Sequence, residues 1–189
     1  FVQIVKMDKT IIQINNLYKK YKSANDFALK DFSLVVNKGE KMGLIGPNGA
    51  GKTTLLSILF GFIKPTSGSF LINNLDYTNH KKNIKSIVGV VPQEYALYPE
   101  LTAYENLLFF GSMYGLKGSE LREEINKYLQ YLEIDYAAHK LINTFSGGMK
   151  RRINLIAGVL HNPKILFLDE PTVGVDIHSK LLIIKFLNE

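Results

Sequence analysis

Eight consecutive residues, Gly46-Pro47-Asn48-Gly49-Ala50-Gly51-Lys52-Thr53, have the types and spacing needed to hold phosphate. The glycines permit positive φ and let backbone N–H groups approach an anion closely. An apolar run at 41–45 precedes the loop, and the spacing from Lys52 onward turns helical. The loop is therefore expected to join a strand to a helix whose unpaired N–H groups aim at the same anion. Lys52 can reach the outer phosphates of ATP as a cation, and the Thr53 hydroxyl can ligate Mg²⁺. The expected nucleotide-binding set here is Gly46, Asn48, Gly49, Gly51, Lys52, Thr53 and Thr54.

A second reactive pair follows the short run Ile165-Leu166-Phe167-Leu168, which ends in Asp169-Glu170. Four unbroken apolar residues read as a buried parallel strand. Such a strand delivers its terminal acids to the sheet edge where α/β folds bind ligands. Asp169 is expected to orient Mg²⁺ through its water shell, and Glu170 to polarise an attacking water. A glycine turn with an incidental lysine is common, and so is an acidic strand end facing water. Their joint presence in one chain gives each its weight.

The elements that must position these groups read as follows. Strands are predicted at 11–14, 32–36, 41–45, 69–72 and 87–91, with a turn-prone polar piece at 22–26. A helix is predicted from Lys52 to Gly61, ended by Gly61 and Pro65. Two helices follow at 103–114 and 119–132, separated by Gly115 and Gly118, with Ser119 and nearby Glu123 as a start signal. Ser146-Gly147-Gly148 opens a further helix running to about His161. Strands, a helix, a strand, a helical block and a strand make an α/β core with a helical insertion.

Composition excludes several classes. The chain of 189 residues has no cysteine, so neither a disulfide framework nor a Cys-based zinc site is available. The formal charge is +6, but the clusters Lys19-Lys20, Lys81-Lys82 and Lys150-Arg151-Arg152 are short, and no basic-aromatic alternation argues for nucleic acid. They are read as solvated surface together with attraction for ATP. The apolar stretches at 55–63 and 181–187 fall far short of the ~20 residues of a membrane span. Work at a membrane is therefore expected to pass through a partner. The chain starts at Phe1, whereas Met7 followed by alternating 11–14 reads as a natural start. The helical pattern at 181–187 reaches Glu189 without a cap, so a fragment is expected.

The segment Phe145-Ser146-Gly147-Gly148-Met149-Lys150-Arg151-Arg152, followed by Asp169-Glu170-Pro171-Thr172, resembles the signature and acidic motifs of ABC transporter ATP-binding subunits. A serine and two glycines at a helix start make an anion cradle. The resemblance implies that Ser146, Gly147 and Gly148 contact the γ-phosphate of ATP on an opposite subunit, two chains enclosing two ATP molecules. It implies that Tyr21 stacks on adenine, with Tyr18 as rival, and that Gln93 touches Mg²⁺ and water and senses the transport partner. Catalytic residues would then be Glu170 and Gln93, and metal ligands Thr53, Gln93 and Asp169. Val173-Gly174-Val175-Asp176 resembles the loop that crosses the dimer interface.

The implied fold is α/β: a P-loop NTPase core with an N-terminal antiparallel β subdomain and a helical insertion subdomain, the C-terminal part of the core missing. The implied ATP-binding domain is 7–189, with 95–160 as its helical signature subdomain. Phe145 and Met149 replace the usual Leu and Gln of the signature, and neither supplies the cradle. The Ser-Gly-Gly-Met-Lys-Arg-Arg form and 98–107 resemble exporter-type members paired with a separate multi-span permease. The family's switch histidine lies about thirty residues past the acids, beyond this chain. His178 is too near Asp176 to be that residue and is expected on the surface at a helix start. His80, His139 and His161 fit no ligand spacing and are expected to be solvated or packed. In related ATPases a further strand separates 41–45 from 165–168, so a gap in the sheet is expected, as is doubtful turnover by this fragment.

The implied role is a peripheral ATPase on the cytoplasmic face of the membrane, driving a permease as a homo- or heterodimer. The rivals are ABC-type ATPases of DNA maintenance or translation, and a silent nucleotide-binding regulator. The first would carry a long coiled coil between Gln93 and Ser146, where only compact helices fit. The second would have two modules in one chain. The intact Glu170, Gln93 and glycine loop weigh against the third.

Overall fold

The computed structural model describes residues 9–188, in two compact units that divide between Lys85 and Ser86. The expected natural start, Met7, lies outside the described residues.

The first unit holds an antiparallel sheet of β1 (Thr10–Lys20), β2 (Phe27–Asn37), β3 (Ser67–Ile72) and β4 (Leu75–Asp76), in the order β2-β1-β3-β4. β1 is central: Ile14 faces Leu34 on one side and Phe70 on the other. Its Ile12, Ile14 and Leu17 are buried. The strands outrun their alternating cores because bulges carry them past polar residues. Asn16 and Asp31 take φ values of 44° and 51°, a region that Asn and Asp enter more readily than most residues. The Asn16 side-chain amide donates to Asp31 Oδ1 at 2.7 Å, and the Asn16 N–H donates to Ser33 Oγ at 2.8 Å. β3 and β4 form a hairpin through Asn73-Asn74, both at positive φ, as a type I′ turn requires.

Helix α1 (Lys52–Leu59) buries Leu55, Ile58 and Leu59 and packs on β2. It ends as the sequence predicts: Gly61 takes φ +70°, and its N–H donates to the Ile58 carbonyl at 2.9 Å. The apolar run at 41–45, expected as a strand, forms none. It joins neither sheet, and Ile45 is 96% exposed. An extended apolar run becomes a strand only with a partner for its N–H and C=O row, and no described strand supplies one.

Helix α2 (Lys81–Ile87) leads into the second unit, where β5 (Val88–Val91) and β6 (Ile165–Leu168) pair in parallel with Val91 opposite Leu168. Around them lie α3 (Ala103–Met113), α4 (Gly118–Tyr131), α5 (Gly147–Val159) and α6 (Ile177–Asn188). Leu107, Ile125, Leu129, Ile134, Ile153 and Ile156 anchor their shared core. α4 starts one residue before the expected Ser119, with Lys117 at the cap position and no side-chain cap. Helix α5 lies against β5 at a glycine pair: a Cβ on Gly89 would collide with the Gly158 carbonyl, and one on Gly158 would sit 2.7 Å from Val91 Cγ2.

The expectation of a solvated cluster at 150–152 fails for two of its three residues. Arg151 and Arg152 are 3% and 6% exposed. Arg152 Nη1 donates to the carbonyls of Leu132 and Glu133, at 2.9 and 3.0 Å. α5 is buried on nearly all sides, so its cations go inside with it and must find acceptors there.

The 98–107 segment owes its residue types to local structure. Thr102 and Glu105 form a capping box on α3, the Thr102 side chain accepting from the Glu105 N–H and the Glu105 carboxylate from the Thr102 N–H at 2.8 Å. Buried Asn106 donates to the carbonyls of Tyr98 and Thr102 and accepts from the Tyr98 N–H at 2.8 Å. Replacing Thr102 by Ala is expected to cost about 1 kcal/mol, read by urea denaturation of the full-length protein. The hydrogen bonds from Thr102, backbone first, hold the Glu105 carboxyl below its ordinary pKa. This part of the cap's contribution is full above the unfolded carboxylate pKa and is lost as pH falls through the lower folded value.

Candidate functional site

In the first unit the phosphate loop follows from its glycines. Gly49 and Gly51 take φ +83° and +87°, which turn the chain sharply into α1. Gly51 is also the N-cap, and a Cβ there would collide with the Ala28 carbonyl and meet Leu29 Cδ2 at 2.9 Å. The Gly51 carbonyl accepts the first helical bond, from the Leu55 N–H at 2.8 Å. The N–H groups of Lys52, Thr53 and Thr54 therefore have no i−4 carbonyl and point out of the helix start, which is the geometry that suits an anion. Lys52 Nζ donates to the carbonyls of Gly46 and Pro47 at 2.6 and 2.9 Å, so its charge sits across the mouth of the loop with one proton to spare. Thr53 is exposed, as are Asn48 and Gly49, while Gly46 is half-buried.

Beside this loop, the Tyr21 hydroxyl lies 3.3 Å from Thr54 Oγ1, and its ring is 40% exposed, with Lys19 Nζ 5.3 Å from the ring centre. Its rival Tyr18 is half-buried and packs edge-on against Phe27 at 5.8 Å. Of the two tyrosines, Tyr21 is the more exposed.

In the second unit the parallel register of β5 and β6 brings two chain ends to one edge. The Asp169 N–H continues the ladder, donating to the Val91 carbonyl at 3.0 Å. Beyond it, Gln93 Nε2 donates to Glu170 Oε2 at 2.7 Å. Glu170 takes φ +48°, which costs a non-glycine residue roughly 1–2 kcal/mol. Strain of this kind gathers at functional sites. Glu170 is exposed and Asp169 half-buried.

The signature turn stands nearby in the same unit. Ser146 caps α5, its side chain accepting from the Met149 N–H at 3.3 Å. The Tyr95 hydroxyl donates to the Gly147 carbonyl at 3.2 Å. A Cβ on Gly148 would strike Asp176 Oδ2, so this glycine admits the next loop. Asp176 accepts from the Ser179 N–H at 2.9 Å, at the start of α6, and this bond is the first cause that lowers its pKa.

The histidines sit as expected. His178 is exposed in the first turn of α6, 3.3 Å from Glu133 Oε2. His80 approaches Asp76, and His139 lies against Tyr104. His161 stacks on Tyr114 at 3.6 Å, its Nε2 3.1 Å from the Val88 carbonyl oxygen. Sequence reasoning missed Tyr95, Arg151 and Asn154, which gather around Pro92 and Gln93. The signal was present: an otherwise apolar helix carries its few polar side chains inside only where they have work on a neighbouring backbone.

The chain is similar to known proteins over most of its length. A family model described as ABC transporter matches residues 29–173. The linearmycin resistance ATP-binding protein LnrL of Bacillus subtilis is 43% identical over 95% of this chain and 58% of its own. The doxorubicin resistance ATP-binding protein DrrA of Mycobacterium tuberculosis is 35% identical over 93% of this chain and 53% of its own. The chain thus spans little more than half the length of these curated relatives. A solved dimer of an ATP-binding cassette, in a post-hydrolysis state with ADP and Pi, superposes with a TM-score of 0.82 at 29% identity, over 93% of this chain and 81% of that one. On its motifs, its fold and its relatives, this chain belongs to the ABC transporter family.

Proposed function

We propose that the chain is the ATP-binding and ATP-hydrolysing part of an export transporter, working as a homo- or heterodimer on a multi-span permease at the cytoplasmic face of the membrane. The observation that carries the ATPase reading is the Gln93–Glu170 hydrogen bond at the carboxyl edge of parallel strands, in a chain whose phosphate loop has the geometry for an anion. The export reading is supported by the resistance names of LnrL and DrrA.

In this reading Tyr21 stacks on adenine. Gly46, Asn48, Gly49, Gly51, Lys52, Thr53 and Thr54 hold the phosphates, and Thr53, Gln93 and Asp169 are the Mg²⁺ ligands. Among the described residues no group of three or more His, Cys, Asp or Glu could hold a metal. Mg²⁺ keeps several waters and substrate phosphates in its shell, so one or two protein oxygens are its usual share. Bound there, the ion would neutralise charge on the phosphates. Glu170 accepts a proton from the attacking water, and the Gln93 amide holds the carboxylate in position. Ser146, Gly147 and Gly148 close on the γ-phosphate bound by the second subunit. Binding energy available only in the closed dimer is what performs work on the permease. Among the described residues no helix is long and apolar enough to cross a membrane. The helical signature subdomain is proposed to span 95–160 of an ATP-binding domain at 7–189.

Inside-out vesicles from cells producing the full-length protein with its permease provide the test. Adding ATP should drive uptake of doxorubicin or linearmycin, the compounds in those relatives' names, and vesicles bearing Glu170→Gln should take up neither. ATP turnover that proceeds with no dependence on any membrane protein would favour a soluble ATPase of translation or DNA maintenance.

A further inference from the structure

Arg151 is 3% exposed on α5, and among the described residues no carboxylate forms an ion pair with it. A buried guanidinium without an anion is costly, and its charge must be met by dipoles. Here Nη1 donates to the Pro92 carbonyl at 2.8 Å and Nη2 to the Gln93 carbonyl at 2.7 Å. The Arg151 Cζ lies over the Tyr95 ring, 4.9 Å from its centre. Asn154, one turn further along α5, donates to the Pro92 carbonyl as well, at 3.2 Å. One planar fork on two successive carbonyls leaves the Gln93 peptide little freedom to rotate. The Tyr95 hydroxyl then reaches the Gly147 carbonyl, at the first residue of α5. An unbroken series of contacts thus runs from Glu170 through Gln93, Arg151 and Tyr95 to the signature turn.

We propose that Arg151 and Tyr95 are positioning residues: they clamp 92–95 to α5, so that the Gln93 amide is held on Glu170 and stays in register with Ser146, Gly147 and Gly148. The proposal rests on the ATPase reading above. Its consequence is that the group orienting the carboxylate and the group serving the second subunit's nucleotide keep a fixed relation. Neither residue touches the reacting atoms; both act through Gln93. Lysine cannot replace Arg151, because an ammonium is a point charge without the fork.

The test uses the full-length protein and measures kcat, KM for ATP with Mg²⁺, and thermal midpoint, for Arg151→Lys and Tyr95→Phe, each alone and combined with Gln93→Ala. Misplacing a catalytic group lowers turnover more than binding, so each single variant should lose about 10-fold in kcat with KM within about 2-fold. In the Gln93→Ala background the same substitutions should cost less than about 2-fold more, since the group they position is gone. Equal losses with and without Gln93, or wild-type kcat in both single variants, would overturn the proposal. If Arg151→Lys does not fold, Tyr95→Phe decides by the same criterion, because at an exposed residue it removes only the O–H that donates to the Gly147 carbonyl. Gln93→Ala at full turnover would instead overturn the ATPase role of Gln93, and this proposal with it. A slow Gln93→Ala with additive losses overturns the clamp alone.

Discussion

Replacing Glu170 by Gln is expected to leave ATP binding intact and to slow turnover by about 10²–10⁴-fold, the range associated with losing a positioned general base. The substitution preserves shape, and the amide can still turn its oxygen toward Gln93 Nε2, which lies 2.7 Å from Glu170 Oε2 in the wild type. What disappears is the negative charge and the oxygen able to take a proton from water. The proposed function gives binding to the phosphate loop, in the other unit of the chain, so affinity should not change. Calorimetry with ATP and Mg²⁺, alongside phosphate release by the full-length protein, separates the two effects. Wild-type turnover would remove Glu170 from the chemistry.

Lys52→Ala should have the complementary outcome: affinity for ATP falls before anything else. A charge-assisted hydrogen bond contributes about 1.5–3 kcal/mol, so a loss of roughly 10–150-fold in affinity is expected. A second effect adds to it. Lys52 Nζ also holds the carbonyls of Gly46 and Pro47, at 2.6 and 2.9 Å, and alanine would release the loop it closes. Calorimetry on the full-length variant reads the loss directly, and unchanged affinity would refute the phosphate-loop assignment. The two variants together separate binding from hydrolysis.

The sequence revealed those features whose physics is local. Ser146 as a helix cap, Gly61 as a helix end and the run 165–168 as a parallel strand all depend on a few neighbouring residues, and all are present. Long-range features were harder to read. The strand expected at 41–45 depends on a partner that no local pattern reports. β1 and β2 looked shorter than they are, because Asn16 and Asp31 carry the signature of strand breakers and become bulges only when paired across the sheet. Arg151 and Arg152 looked like surface charge because composition does not say which helix is enclosed. The glycine loop, the acids and Gln93 were legible as types and order, while the 2.7 Å bond between Gln93 and Glu170 required the β5–β6 register.

The glycine contact between α5 and β5 sets how closely the helix lies on the sheet. Because neither Gly89 nor Gly158 has room for a methyl group, the two backbones meet there with no compressible side chain between them. From Gly158 back to Gly147 the helix extends about 16 Å at 1.5 Å per residue. A substitution that tilted the helix by about 5° at that contact would shift the Ser146 end by about 1.4 Å, enough to break a hydrogen bond. The helix is thus set against the sheet at Gly158 and tied to the carbonyls of Pro92 and Gln93 further back, with the signature turn at its far end. A bulkier residue at either glycine would push the helix off the sheet there, and the displacement would be largest at the end most distant from the substitution.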